Sequence, residues 1–296
     1  MSKSSVKLWV LNGMEASMTP KLIIHGGAGA LENTSERADT IRAALKDILV
    51  ETYEFLKQTD AMQAVLHGVR LLEDEPMFNA GKGSRYQADG TIRMSAALMD
   101  GTARRFSGVI NIQAVQHPID VAALLLKEEH RVLAGAQATE YARAKGFEAF
   151  DPGTPYRLQE HQNSVKGKTG TVGVVALDSK GAIVAGTSTG GVGGEIPGRV
   201  SDSATVAGNY ATTQVGISST GIGEEIVDYA LAAGIAARME DGMSLNAAGT
   251  KSLAAAKAAG CSFGFIALDE SGAILADKTT ESIFYAWHDG QTQETF

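Results

Sequence analysis

The texture of the chain changes abruptly at one bond. Residues 149–170 carry no hydrophobic period and end in Gly167-Lys168-Thr169-Gly170. Directly after them stands Thr171-Val172-Gly173-Val174-Val175-Ala176-Leu177, which reads as a strand buried on both faces. A threonine in a strand is ordinarily structural. A Gly–Thr junction between an exposed tail and a buried strand also has its own chemistry. Gly170 admits backbone conformations closed to other residues. The Thr171 hydroxyl is placed to attack the carbonyl before it, giving an N→O acyl shift and an ester that water hydrolyses. The freed α-amine, with an ordinary pKa of about 7.7–8.0, then serves as general base for its own hydroxyl. The expectation is a chain that cuts itself between Gly170 and Thr171, leaving parts 1–170 and 171–296 with Thr171 as the nucleophile.

A phosphate loop competes for the same stretch, because Gly167-Lys168-Thr169 matches the end of G-x-x-x-x-G-K-[ST]. That motif needs glycine at position 162, where Gln162 stands, with a strand before it and a helix after it. All three conditions fail.

Upstream, Lys21-Leu22-Ile23-Ile24-His25 is predicted as a short strand running into Gly26-Gly27-Ala28-Gly29. Helices are expected over 36–57 and 60–74, the second capped by Asp60 and carrying Ala61, Val65, Val69 and Leu72 on one face. Strands follow over 91–99 and 107–114, joined through Asp100-Gly101, and then helices over 118–128 and 130–146. Downstream of Thr171, strands 171–178 and 182–189 form a hairpin. A glycine-rich loop runs from Gly190 to Gly208, a strand lies near 213–218, helices over 223–240 and 243–259, and strands over 262–268, 273–280 and 282–288. The stretch from Phe263 to Ala276 repeats the pattern of Val172 to Ala185, so two similar hairpins either face each other or share a sheet. Sheets with helix pairs before and after them suggest an α+β fold in four layers, α-β-β-α, across 1–296 as a single domain. Residues 1–18 read as a loose extension.

The net charge of −8, the 6% aromatic content and the lack of a basic run argue against nucleic-acid binding. Cys261 is the only cysteine, which excludes an intrachain disulfide or thiolate cluster, and its apolar neighbours read as those of a small buried residue. No stretch is apolar enough to span a membrane and no signal peptide is recognisable, so a cytoplasmic location is expected.

Three stretches offer chemistry beside Thr171. Thr189 closes the open end of the hairpin and is expected within hydrogen-bond reach of Thr171. Arg199 and Asp202 sit three apart in a glycine-rich loop. Such charges are usually a solvated pair, but the arginine fork also suits an α-carboxylate and the aspartate an α-ammonium. The Thr220 hydroxyl and Gly221 N–H, before a helix, read either as a cap or as an oxyanion hole.

Together these stretches resemble the plant-type L-asparaginase / isoaspartyl peptidase family of N-terminal-nucleophile hydrolases. The resemblance runs from Lys21 to about Ser282 and rests on Ile24-His25-Gly26-Gly27-Ala28-Gly29, Phe78-Asn79-Ala80-Gly81-Lys82-Gly83, Met99-Asp100-Gly101, Gly170-Thr171-Val172-Gly173, Thr187-Ser188-Thr189-Gly190-Gly191, Gly198-Arg199-Val200 with Asp202, and Thr220-Gly221-Ile222-Gly223-Glu224. It implies autocleavage before Thr171 and assembly of two αβ units into a heterotetramer. It implies roles for Thr189 in orienting the nucleophile, for Arg199, Asp202 and the Gly223 carbonyl in holding the substrate, and for Thr220 and Gly221 as oxyanion hole. It also implies a structural Na+ or K+ held by the main-chain carbonyls of Leu72, Glu73, Glu75, Phe78, Ala80 and Lys82, with no cofactor for catalysis. The implied substrates are β-aspartyl (isoaspartyl) dipeptides and L-asparagine. Relatives more often have Asp-Ala where this chain has Ser95-Ala96, Asn-Lys for Gly194-Glu195, and Gly-Asp for Ser201-Asp202. Two other readings stand beside the hydrolase: an unprocessed amino-acid-binding homologue that keeps Arg199 and Asp202, and a glycosylasparaginase-like enzyme, which the missing secretory signal and disulfides disfavour.

Overall fold

The computed structural model describes residues 18–29, 35–164 and 170–296. Most of the 1–18 extension and the Gly167-Lys168-Thr169 leader lie outside them. In chain order the elements are β1 (Lys21–Gly29), α1 (Ser35–Leu56), α2 (Ala61–Asp74), β2 (Met94–Asp100), β3 (Arg105–Ile112), α3 (Pro118–Leu125), β4 (Val132–Ala134), α4 (Gly135–Ala144) and α5 (Pro155–Gln162). They continue with β5 (Val172–Leu177), β6 (Ile183–Thr189), β7 (Asn209–Ala211), β8 (Val215–Gly221), α6 (Gly223–Asp228), α7 (Leu231–Glu240), α8 (Leu245–Ala258), β9 (Phe263–Asp269), β10 (Ile274–Lys278), β11 (Ser282–His288) and β12 (Gln293–Thr295).

The chain is α+β. Eight strands form one mixed sheet in the order β12-β11-β1-β5-β6-β2-β3-β4, and four form an antiparallel sheet in the order β10-β9-β8-β7. Helix α2 packs on β5 and β6 through Ala61, Val65, Val69 and Leu72, all fully buried, and Asp60 Oδ1 caps it by accepting from the Gln63 N–H at 2.8 Å. Helices α7 and α8 cover the outer face of the smaller sheet with Leu231, Ile235, Leu245 and Leu253. Between the sheets lies a third apolar cluster that includes Ile23, Val175, Ile183, Ile266 and Leu268. This explains why β5, β6 and β9 read as unbroken apolar runs: both of their faces are buried. The repeated hairpins therefore do not share a sheet. β5–β6 is central in the larger one, β9–β10 belongs to the smaller, and the two sheets face each other.

Several expected elements differ. The 149–170 segment is not structureless, since α5 occupies Pro155–Gln162, capped by Thr154 and anchored by Arg157 at 2% exposure. One buried arginine making four hydrogen bonds outweighs a polar composition that gave no helical period. The helix expected over 130–146 begins as β4, pairing parallel with β3. The helix expected over 223–240 breaks at Ala230, which has φ 45°. The glycine cluster after His25 continues β1 rather than ending it, with a bulge between His25 and Gly27. Short strands β7 and β12, three residues each, carry too little pattern to be seen in advance. Cys261 is half-buried beside the α7–α8 cluster. Among the described residues no helix is long and apolar enough to cross a membrane.

The two sheets come close at Gly173, two residues after Thr171. A Cβ on Gly173 would stand 2.0 Å from Ser218 Oγ and 2.4 Å from His25 Nε2. Neither side chain can yield, because both belong to a buried hydrogen-bonded chain. Gly173→Ala is accordingly expected to push β5 away from β8 and lower Tm. The cost is about 1–3 kcal/mol, the ordinary range for overpacking, and thermal unfolding measures it. An unchanged Tm would mean that the sheets are free to separate there.

Candidate active site

The register of the β5–β6 hairpin pairs Val172 with Ser188, which brings the ends of the two strands together. The hydroxyls of Thr171 and Thr189 lie 3.0 Å apart, and the Gly191 N–H donates to Thr189 Oγ1 at 3.2 Å. Gly170 holds φ 131°, a conformation that L side chains rarely adopt, and a Cβ there would stand 2.5 Å from that of Asn79. Its carbonyl accepts the Asn79 N–H at 2.9 Å. Asn79 also donates from Nδ2 to the Gly191 carbonyl, 2.5 Å away, and receives the Arg85 N–H on Oδ1. One asparagine thus ties the bond before Thr171 to the turn after Thr189. Sequence reasoning quoted Asn79 as part of a motif and gave it no role, since both contacts are long-range.

The same cleft collects the other candidates. Arg199, Asp202, Thr220, Gly221 and Gly223 line it together with Gly170, Thr171 and Thr189. Thr220 and Gly221 end β8, and Gly223 opens α6. The strand-to-helix turn therefore brings the end of β8 and the start of α6 to the cleft that Thr171 lines.

The Arg199 guanidinium is held by a partner the sequence reading did not name. Its Nε and Nη2 donate to Glu224 at 2.6 and 2.7 Å. That fork fixes the arginine plane and leaves the remaining N–H groups for a ligand. Asp202 is 4% exposed, and its Oδ2 has no hydrogen-bond partner among the described residues. Burial, against the nearby Arg199, raises its carboxyl to about 7. A buried acid lining a cleft suits a cationic ligand group.

Near Thr171 runs a buried polar chain. His25 Nε2 meets Ser218 Oγ at 2.8 Å, Ser218 Oγ meets Thr187 Oγ1 at 2.7 Å, and Thr187 donates to Asn209 at 3.1 Å. Burial pushes His25 down to about 3, so it is neutral at physiological pH. The chain joins β1, β8, β6 and β7, and so sets the distance between the strand that starts at Thr171 and the strand that ends at Thr220 and Gly221. Behind β6, Glu73 accepts from the Ser188 hydroxyl at 2.6 Å, and burial holds its carboxyl well above the usual range.

The carbonyl set expected to hold an alkali cation lies on the turn after α2. Pro76 has no N–H for the Leu72 carbonyl at the end of that helix. Glycines let the turn close: a Cβ on Gly81 would stand 2.4 Å from the Glu73 carbonyl oxygen, and one on Gly83 2.8 Å from that of Phe78. Some of these oxygens already have protein donors, Glu73 from the Lys82 N–H at 2.7 Å and Phe78 from Arg157 at 3.3 Å. A carbonyl has a second lone pair, so these hydrogen bonds do not prevent the oxygens from accepting a hard cation.

Comparison with known proteins identifies the family. The sequence profile of the Asparaginase family (Asparaginase_2) matches residues 18–296. A Synechocystis protein named isoaspartyl peptidase/L-asparaginase is 44% identical over 92% of this chain and 89% of its own length. A Salmonella typhimurium isoaspartyl peptidase is 35% identical over 93% and 97%. A Pyrococcus horikoshii plant-type L-asparaginase is 34% identical over 90% and 95%. With the match running from Met18 to the last residue, across every group that lines the cleft, the chain belongs to the asparaginase family.

Proposed function

We propose that this chain is an autoprocessed threonine amidohydrolase with the α-β-β-α fold of the N-terminal-nucleophile type. It hydrolyses the amide on the β-carbonyl of an aspartyl unit, in β-aspartyl dipeptides and in L-asparagine, with the dipeptides as the better substrates. The observation that carries this reading is the single small cleft in which a Thr171 hydroxyl, 3.0 Å from that of Thr189, meets Arg199, Asp202, Thr220 and Gly221. The names of the relatives, isoaspartyl peptidase and L-asparaginase, support the substrate class.

In maturation, Thr171 Oγ attacks the Gly170 carbonyl carbon while the Asn79 N–H, 2.9 Å from the oxygen, stabilises the developing negative charge. The C–N bond breaks, the acyl group passes to Oγ, and water hydrolyses the ester. This leaves a Gly170 carboxylate, a free Thr171 hydroxyl and an α-amine. In turnover, Arg199 binds the substrate α-carboxylate, while Asp202 and the Gly223 carbonyl bind the α-ammonium. The Thr171 amine takes the hydroxyl proton, and Oγ attacks the β-carbonyl. Thr220 and Gly221 donate to the oxyanion, and Thr189 orients the nucleophile. The leaving amine departs with a proton, and water then hydrolyses the β-aspartyl ester on Thr171 to aspartate. Parts 1–170 and 171–296 stay together through the eight-stranded sheet to which both contribute strands, and two such units pair as a heterotetramer. A structural Na+ or K+ on the carbonyls of Leu72, Glu73, Glu75, Phe78, Ala80 and Lys82 stiffens the turn that presents Asn79, and no catalytic step runs through it.

Mass spectrometry of the purified protein after long incubation, with assays on L-asparagine and a β-aspartyl dipeptide, tests the reading. Two fragments, the second beginning at Thr171, and release of aspartate from both compounds are the expected result. A persistent 30.9 kDa chain that binds aspartate without turnover would instead favour the unprocessed amino-acid-binding homologue.

A further inference from the structure

Two guanidinium groups and a single carboxylate meet beside the cleft, behind the turn that follows Thr189. Arg157 is fully engaged. Its Nε donates to the Gly83 carbonyl at 2.6 Å, Nη2 to those of Met77 and Phe78 at 3.2 and 3.3 Å, and Nη1 to Glu160 at 2.7 Å. Arg85 is not. It is 8% exposed, yet its Nη1 and Nη2 reach the Val192 carbonyl and Glu160 only at 3.4 and 3.5 Å, and its Nε has no partner among the described residues. Glu160 therefore serves both arginines, Arg157 at 2.7 Å and Arg85 only at 3.5 Å, so Arg85 has a long and shared counter-charge. Burial and the neighbouring Arg157 hold Arg85 down to about 10, which still leaves it charged at neutral pH. A buried, uncompensated charge is costly unless something pairs with it.

Arg85 faces a cavity of about 270 Å3, lined also by Tyr86, Glu160, His161, Gly193 and Gly194. That is room for a small organic anion rather than a lone inorganic ion. Tyr86 and His161 form one wall, with ring centres 5.4 Å apart. The opposite wall is bare backbone. A Cβ on Gly193 would come within 3.1 Å of Arg85 Cδ, and one on Gly194 would touch nothing within 4 Å. The cavity and the cleft share no lining residue, but two residues of the cleft bond to Arg85. Val192 lines the cleft and accepts from Arg85, and Asn79 lines it and accepts the Arg85 N–H on Oδ1 at 3.0 Å.

We propose that the Arg85 cavity is the subsite for the departing residue of a β-aspartyl dipeptide, with Arg85 taking its α-carboxylate and the Tyr86–His161 wall its side chain. The subsite rests on the hydrolase reading above and deepens it. It divides the two substrate classes, because L-asparagine releases only ammonia and presents nothing for Arg85 to hold. A dipeptide offers a carboxylate two bonds beyond the scissile nitrogen. Arginine matches that planar anion with paired N–H groups, and the anion adds a close partner where Glu160 reaches Arg85 only at 3.5 Å.

The test compares β-aspartyl-leucine with its C-terminal carboxamide, which keeps every atom of the leaving side chain and removes only the charge. The matured wild-type protein is expected to show a kcat/KM about tenfold or more higher on the free acid, carried by KM. In Arg85→Gln that ratio is expected to fall to about one, and Arg85→Lys is expected to keep part of it. An acid-to-amide ratio near one in the wild-type protein overturns the subsite without any variant, so a variant that fails to mature does not shield it. A wild-type ratio that persists in Arg85→Gln overturns it equally, because the selectivity then lies elsewhere. If a cleaved protein hydrolyses neither dipeptide nor L-asparagine, the underlying hydrolase reading is wrong and the subsite falls with it.

Discussion

Thr171→Ala is expected to yield one 30.9 kDa chain that never separates into fragments and has no measurable turnover. In the proposed mechanism the hydroxyl is both the attacking atom in maturation and the nucleophile in turnover, and removing a nucleophile from a preorganised site costs on the order of 10⁴- to 10⁶-fold in rate. Denaturing electrophoresis reads the first effect and aspartate release the second. Thr171→Ser keeps a hydroxyl and is expected to cleave and turn over, at reduced rates. Fragments beginning at residue 171 in the alanine variant would show that another group cuts the chain.

Asp202→Asn is expected to separate activity from stability. The carboxyl rises from 3.8 to about 7 in the folded protein, chiefly because burial disfavours its charge. The native state therefore holds its proton to higher pH than the unfolded chain does. This group's contribution to stability is full below about pH 4, falls as pH rises towards 7, and stays lost above that. Asparagine cannot ionise, so the variant should melt higher than the parent at pH 8, by about 2–4 °C for each kcal/mol recovered. The gap should close towards pH 4. Activity should move the other way. The substrate ammonium loses a charge-assisted partner, and kcat/KM should fall by about 10- to 100-fold. In the parent, kcat/KM should drop as pH falls below about 7, through protonation of both Asp202 and the Thr171 amine. The variant should lose one of those two protons from its profile, changing the acid-limb slope from two towards one. A melting temperature below the parent's at pH 8, with an unchanged slope, would place the raised pKa in another group.

Much of the site was legible because its chemistry is local in sequence. The break at Gly170–Thr171, the hydroxyl cluster of Thr187-Ser188-Thr189 and the Thr220-Gly221 turn announce themselves by residue type and by the ends of apolar runs. The hairpin's loop length ties Thr189 to Thr171, and the two hydroxyls meet at 3.0 Å. Asn79 was not legible, because its contacts to Gly170 and Gly191 join residues about a hundred apart. Glu224 was quoted in a motif, but only the folded loop turns its carboxylate onto Arg199. Helix α5 was missed because it is held by the four hydrogen bonds of one buried arginine rather than by an apolar stripe. Arg85 looks like any surface charge until it is found buried beside Arg157 with a single carboxylate between them.

The sequence by itself singled out the Gly170–Thr171 junction and the strands that must be buried on both faces. Side-chain chemistry and a two-residue period are properties of neighbours along the chain. Only the tertiary structure decided that the repeated hairpins lie in opposite sheets, how closely those sheets approach at Gly173, and which charges are paired. Those outcomes depend on packing and desolvation between distant segments. The Gly170–Thr171 bond is accordingly a local feature, and the cleft that collects around it is a consequence of the fold.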